Sequence, residues 1–379
     1  MRVLYWTERY WPHIGGVEVL SLQLLPALAA RGFSAHIVTS HSDHPLPDED
    51  ECEGVPLSRM HFLTSLTHSD LSGLVAARRR LAALKEKFRP DLVHIHFSGP
   101  SPYFHWQTRD AFPAPTLVTI HSLPKAMQRS DSLLAQTLRE ANWVNTVSAA
   151  KLGDIRALVP EVRQRSSVVY NGLALPATQP APLPQATPII LCLGRLVGWK
   201  GFDLALDAFA ILAGSNSGAR MIIAGDGPAR TELEQQAAAL GVGNRVDFTG
   251  WVEPDRIPEL INRATLVLLP SRVEETLPVV ALQAAQMARP MIAADIAGLP
   301  ELVRHEQTGL LVAPDEAAAL AGAIERLLAN PAYAHTLGLA ARRMAETELG
   351  LDRWADSYAA LYHKLIGDFR GGKARDLPA

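Results

Sequence analysis

The chain has 379 residues, 48% of them hydrophobic and 20% charged, with a formal net charge of -3. That length suits two domains with sizeable cores, and the near-neutral charge gives no footing for nucleic acid as a partner. Its two cysteines, Cys52 in an acidic stretch and Cys192 inside the apolar run IILCL, make no disulfide framework, and MRVLYW opens directly on a strand. A cytoplasmic protein is therefore expected.

Residues 2–6 read as a buried strand, followed by the polar loop TERYWPHIGG and a helix pattern from 17 to about 31, ended by Gly32. Further strand-like runs at 35–39, 92–96, 116–120 and 144–147 alternate with helical stretches. This alternation argues for parallel βα units in a doubly wound α/β sheet. Ligands of such sheets sit beyond the carboxyl ends of the strands. Those ends carry Gly15 and Gly16, His94 and His96, and His121. The first loop lacks G-x-G-x-x-G, so Gly15 and Gly16 suit either a close backbone approach to a diphosphate or sugar, or a plain turn. His94 and His96 share one face of a strand. With no third ligand legible from spacing, they read as polar lining of a cleft rather than as zinc ligands. His121 reads as a hydrogen-bonded structural residue, and its place at a strand end is what favours a site role instead.

Residues 45–54, PLPDEDECEG, read as an exposed acidic loop without chemistry. Residues 74–88 form a basic amphipathic pattern with Leu74, Ala77, Leu81, Leu84 and Phe88 on one face. A core-facing helix with a solvated basic side is the main expectation, and peripheral contact with anionic lipid is the alternative.

Residues 175–188, LPATQPAPLPQATP, hold five prolines and read as a semi-rigid linker. Beyond them the alternation restarts, with strands at 189–193, 220–224, 245–248, 266–269 and 291–293 and helices at 202–212, 229–240, 256–262 and 279–287. The expected organisation is two Rossmann-like domains, 1–174 and 189–352, facing each other across a cleft. Closing helices fit 317–329, 333–348 and 353–366, the last with Trp354, Tyr358 and Tyr362 as a packing stripe.

Three loops of the second half carry chemistry. GRLVGWKGFD, residues 194–203, places Arg195 and Lys200 where two cations could neutralise a diphosphate; ordinary surface charge is the alternative. AGDGP and FTGWV, each at a strand end, offer glycines and backbone groups where a base or ribose could lie. SRVEETLPVVALQAA, residues 271–285, carries Glu274 and Glu275 ahead of a helix, with Pro278 fitted to its first position. Such a helix start seats a phosphate and a neighbouring carboxylate can hold sugar hydroxyls. Taken by itself, the stretch reads rather as an ordinary strand–helix unit with two solvated glutamates.

Together these segments resemble the family 4 glycosyltransferases, retaining enzymes of the GT-B fold. Ten strings carry the resemblance in order: PHIGGVE, DLVHIHF, TLVTIHS, NTVSAAK, VVYNGL, LGRLVGWKGFDLALDAFA, IAGDGP, VDFTGWV, PSRVEETLPVVALQAA and PMIAADIAGLPELV. The resemblance implies that Gly15 and Gly16 let backbone meet the donor diphosphate, that Arg195 and Lys200 bind it as leaving group, and that His121 touches the donor sugar. Glu275 matches the first glutamate of the family's E-x7-E motif and would hold the sugar's hydroxyls. Gly194, Gly225, Gly227, Val252, Thr276, Leu277 and Val279 would line the donor. The second glutamate is replaced by Gln283, which exchanges a charge-assisted bond to ribose for a neutral one.

The resemblance further implies a UDP- or GDP-sugar donor, a glycan or lipid-linked acceptor in bacterial glycan, polysaccharide or glycolipid synthesis, no metal and no other cofactor. It also implies a C-terminal helix, within 353–379, packed back on the N-terminal domain. A sugar-nucleotide-binding protein without transferase activity and a nucleotide-sugar epimerase of the same architecture remain open. The loop after Trp6 lacks the K-x-G-G pattern of glycogen-synthase-like enzymes.

Overall fold

A computed structural model describes residues 1–13, 15–41, 45–97, 99–123, 127–184, 186–214, 218–273 and 275–372. The chain divides into two compact units: Met1–Asn171 with the segment from Leu351 onward, and Gly172–Gly350. Each is a Rossmann-like, doubly wound α/β unit.

In the first unit the elements are β1 (Arg2–Thr7), α1 (Gly16–Ala29), β2 (Ser34–Ser40), β3 (Glu49–Cys52), β4 (Val55–Met60), α2 (Phe62–Thr67), α3 (Leu71–Phe88), β5 (Leu92–Phe97), α4 (Pro102–Gln107), β6 (Thr116–Ile120), α5 (Leu133–Glu140), β7 (Trp143–Thr146), α6 (Ala149–Leu158) and β8 (Ser166–Val168). The sheet order is β3-β4-β2-β1-β5-β6-β7-β8, parallel except where β3 pairs with β4. Central strands such as β5 and β6 are buried throughout, as expected of parallel strands covered on both faces. One face is apolar: Leu4, Trp6, Val93, Ile95, Phe97, Val118 and Ile120 pack with Phe62, Leu81 and Phe104.

The 45–54 expectation is corrected. Much of that segment is the hairpin β3–β4, turned at Glu53 (φ 49°) and Gly54 (φ 76°). Two central residues with positive φ match the twist of paired strands. The acidic strand has no apolar alternation to reveal it. Its charges are held instead by Arg59 on Asp50 (2.8 Å) and Arg80 on Glu49 (2.5 Å). In α3 the expected apolar face is spent on the unit's own core: Ala77 and Leu81 are buried, and Leu74, Leu84 and Phe88 pack against the same cluster. Lys85, on that face, is also buried and donates to the His105 and Thr108 carbonyls at 3.2 Å. Among the described residues no helix is long and apolar enough to cross a membrane.

The second unit contains β9 (Ile189–Leu193), α7 (Phe202–Ala213), β10 (Arg220–Ala224), α8 (Arg230–Ala239), β11 (Val246–Gly250), α9 (Ile257–Arg263), β12 (Leu266–Leu269), α10 (Val279–Gln286), β13 (Met291–Ala294), α11 (Leu299–Leu302), β14 (Gly309–Val312), α12 (Ala317–Ala329) and α13 (Pro331–Glu348). Its wholly parallel sheet runs β11-β10-β9-β12-β13-β14. The chain winds outward from β9 in one direction and then in the other, so the switch point lies between β9 and β12.

Residues 175–188 are not a free linker. Leu183 joins the second unit's core. Asn262 donates to the Gln179 carbonyl at 2.8 Å, and the buried Arg289 donates to the Ala181 carbonyl at 2.9 Å. Prolines remove amide donors from the strap, and these side chains satisfy its carbonyls instead.

The last helix, α14 (Leu351–Arg370), belongs to the first unit and packs on α1. Trp354, Tyr358 and Tyr362 are buried, and Arg31 holds its start through Asp352 (3.0 Å) and Asp356 (2.6 Å).

Candidate active site

The loops that leave β9 and β12 flank the second unit's switch point. The β9 loop is locked to its neighbour by backbone: Gly194 N donates to the Ala224 carbonyl at 2.9 Å and Leu196 N to the Asp226 carbonyl at 2.9 Å. A Cβ on Gly225 would lie 1.9 Å from the Gly194 oxygen, and one on Gly227 2.4 Å from the Leu196 oxygen. Both also take positive φ. These glycines thus answer first to loop-on-loop packing. Gly201 (φ 70°) likewise lets the loop touch the Pro270 carbonyl, which a Cβ would meet at 2.0 Å.

This packing brings the β9 and β12 loops together. Lys200 Nζ donates to Glu275 Oε1 at 2.5 Å, with the carboxylate side chain 6% and the ammonium side chain 16% exposed. The Lys200 ammonium also stands 4.7 Å from the Trp199 ring centroid. Glu275 is fixed through its backbone, whose carbonyl accepts from Gly298 N at 2.9 Å. Arg272 clamps the two loops: it holds Asp203 through two bonds of 2.6 and 2.7 Å, pairs with Asp315, and donates to the Gly198 carbonyl at 3.0 Å. Those two carboxylates hold the Arg272 guanidinium above its usual range, and Asp203 is held below its own despite the opposing push of burial.

Arg195 is exposed on the same loop, and no described residue hydrogen-bonds its guanidinium. Leu277 is buried and anchors the segment before α10, while Thr276, Val279 and Gln283 are partly buried there. Pro278 sits one place earlier than expected, as the N-cap with ψ 132°, so α10 begins at Val279. Val252 is partly buried just beyond Gly250, whose carbonyl accepts from Gly225 N at 2.8 Å. Glu274 lies outside the described residues.

Gly15, Gly16 and His121 belong to the first unit. Gly15 is the extended N-cap of α1, and a Cβ there would lie 2.5 Å from Glu18 Oε2. Its small size lets the Glu18 carboxylate fold back on the Gly15 and Glu18 amides. His121 Nε2 pairs with His96 Nδ1 at 2.8 Å with the rings stacked. Burial lowers His121 to about 4 and His96 well below the usual range, so both rings are neutral near pH 7. Among the described residues, His96 Nε2 is buried without a partner.

His94 corrects an expectation: it is a core residue, not cleft lining. Its ring nitrogens meet Tyr362 of α14 at 2.6 Å and Thr119 at 2.7 Å. The strand face it shares with His96 is covered by α14, which sequence spacing alone could not show.

Comparison with known proteins follows the same division of the chain. Residues 14–175 match the family model Glycosyltransferase Family 4, and residues 177–344 match Glycosyl transferases group 1. A 2-deoxystreptamine glucosyltransferase of Streptomyces kanamyceticus is 30% identical, over 83% of this chain and 88% of that one. The chain belongs to glycosyltransferase family 4. This glycosyltransferase is also 29% identical to a glycogen synthase of Mycobacterium tuberculosis over 96% of its length and 94% of the relative's. Its two units have the GT-B fold. The solved sucrose-phosphate synthase of Thermosynechococcus elongatus superposes with a TM-score of 0.83 at 26% identity, covering 97% of this chain and 99% of that one.

Sequence reasoning on the glycosyltransferase missed Arg272, Asp203 and Glu8. Arg272 and Asp203 stand inside two of the family-like segments, yet nothing in their spacing marks a clamp. Glu8 ends up 6% exposed beyond β1, accepting from Ser40 Oγ at 2.8 Å and Ser101 N at 3.1 Å. Burial raises its carboxyl. Its sequence signal was only its place in the first strand-end loop.

Proposed function

We propose that this glycosyltransferase moves a hexose or N-acetylhexosamine, with retention, from a UDP- or GDP-sugar to a hydroxyl acceptor, and that no metal ion takes part in the transfer. The observation that carries the reading is the Lys200–Glu275 pair at the switch point of the second unit. Lys200 and the exposed Arg195 neutralise the diphosphate as it gains charge on leaving the sugar. Glu275 accepts hydrogen bonds from the sugar hydroxyls, with its position set by the Gly298 amide and the Arg272 clamp. In the structure the two charges satisfy each other. With donor bound, each gains a partner suited to it, the ammonium a phosphate and the carboxylate hydroxyls. Gly194, Gly225, Gly227, Val252, Thr276, Leu277 and Val279 line the nucleotide and sugar, and Gln283 meets the ribose. On the first unit, Gly15 and Gly16 approach the diphosphate and neutral His121 approaches the sugar.

The relative that glucosylates 2-deoxystreptamine makes a small polyhydroxylated ring a sensible first acceptor, beside the glycan and lipid-linked acceptors of bacterial polysaccharide and glycolipid synthesis. The test is a thermal-shift screen of UDP-, GDP- and ADP-sugars, since a bound donor raises apparent stability by mass action. It is followed by acceptor-dependent transfer with and without added Mg2+ or Mn2+. The expected product keeps the donor's anomeric configuration at equal rates in both. Conversion of the donor without acceptor would instead identify an epimerase, and binding without turnover a non-catalytic protein.

A further inference from the structure

The first unit carries a side-chain cluster to which the proposed transfer assigns no role. His41 follows β2 and His61 follows β4, and the parallel register pairs Ser40 with Met60. The His41 amide continues this pairing by donating to the Met60 carbonyl at 2.8 Å. Backbone geometry therefore sets the two imidazoles side by side, with ring centroids 4.1 Å apart and planes within 8°. Asp48, in the segment that enters β3, turns a carboxylate toward both. Its Oδ1 is 2.8 Å from His41 Nε2 and 3.9 Å from His61 Nε2.

We propose that His41, Asp48 and His61 form a binding site for a zinc-class dication at the carboxyl-end edge of the first unit's sheet. Two imidazole nitrogens and one carboxylate oxygen suit Zn2+, Co2+ or Ni2+, whereas Mg2+ and Ca2+ prefer oxygen ligands. A tetrahedral ion with bonds near 2.0–2.2 Å sets its ligand atoms about 3.3 Å apart. The three ligand atoms lie within 4.8 Å of one another, and the 2.8 and 3.9 Å separations straddle the required spacing. Little has to move. Stacked rings direct their lone pairs in parallel, so one ring must turn, and the His61 side chain is 57% exposed and free to do so. His41 is held in place with its side chain 7% exposed.

Asp48 is oriented from behind. Its Oδ2 accepts from Arg80 Nη1 at 2.6 Å, and its carbonyl accepts from Arg80 Nη2 at 2.9 Å and Arg59 N at 2.7 Å. Partners of this kind fix a ligating carboxylate and sharpen metal affinity. Arg80 and Arg59 are also shared with Glu49 and Asp50, which leaves charge on Asp48 for an ion. Three protein ligands leave a fourth position for water. The ion would tie the ends of β2 and β4 to the start of the acidic hairpin, a stabilising role separate from the transfer chemistry.

The test uses the full untagged chain, stripped with a chelator and titrated with Zn2+ by calorimetry. Co2+ absorption then reports the coordination geometry. The expected result is one ion per chain, a rise in thermal midpoint on adding Zn2+, and at least tenfold weaker binding in both His61→Ala and Asp48→Asn. Asp48→Asn also loses the Arg80 pair and can fail to fold, so His61→Ala, at an exposed ring, is the deciding variant. No stoichiometric binding by the wild-type chain, or unchanged affinity in His61→Ala, would overturn the proposal.

Discussion

Lys200 and Glu275 come from positions 75 apart in the chain and meet at 2.5 Å, both largely shielded from water. Removing either partner from such a pair leaves an uncompensated buried charge, at a cost of about 3 kcal/mol or more. Removing both costs less than the two single changes together. A double-mutant cycle on Lys200→Ala and Glu275→Ala, read by urea unfolding, should therefore give strong positive coupling; additive losses would mean that the pair is solvated. At Gln283 the expected loss relative to a glutamate is a charge-assisted hydrogen bond to ribose. Gln283→Glu should lower the donor KM several-fold with little change in kcat, and a collapse of kcat would contradict a ribose role. Residue types at these positions were legible from sequence. Their contacts were not, because a lysine and a glutamate so far apart carry no mark of being partners. Gly225 and Gly227 were legible as special positions, but the sequence did not show that backbone carbonyls of the neighbouring loop, rather than a ligand alone, require them.

Elements were most legible where burial is symmetrical. β9, β10 and β12 take the bounds read from sequence, since parallel strands covered on both faces leave uninterrupted apolar runs. The β3–β4 hairpin was missed because its edge strand is charged and held by arginines rather than by an apolar face. Residues 175–188 looked like a tether because prolines break periodicity, and their anchors, Asn262 and Arg289, lie far along the chain. Arg272→Lys keeps the charge and loses the two-pronged hold on Asp203. It should lower kcat about tenfold or more with a smaller change in donor KM, because it positions Lys200 and Glu275 without touching substrate. Equal kcat would show that the clamp is dispensable. Tyr362→Phe keeps the ring of α14 and strips the hydroxyl from His94 Nδ1, leaving a buried nitrogen unpaired. Urea unfolding should show a loss of about 1–3 kcal/mol from the first unit, and no loss would mean that α14 is held by apolar packing alone.

Across the whole molecule, the first unit is built around neutral histidines. His94, His96 and His105 are pushed well below the ordinary imidazole range by burial, and His121 to about 4. Above pH 6.5 these rings are neutral whether the unit is folded or not, and they add no pH dependence. Below 6.5 the unfolded chain takes up protons that the folded unit refuses, so stability falls as pH drops, for His121 down to about 4. Each such ring contributes a slope of up to about 1.4 kcal/mol per pH unit. Urea midpoints measured between pH 7.5 and 5 should fall steeply, with the first unit unfolding at lower denaturant than at neutral pH; a flat profile would contradict the buried, neutral assignment.

The claim on which the functional account rests is that Lys200 and Glu275 form the donor-handling centre of this glycosyltransferase. Steady-state transfer by Glu275→Ala and Lys200→Ala, each checked for native circular dichroism, tests it most directly. Turnover should fall at least a hundredfold in both while the folded signal remains. Turnover close to wild type in either variant would contradict the account.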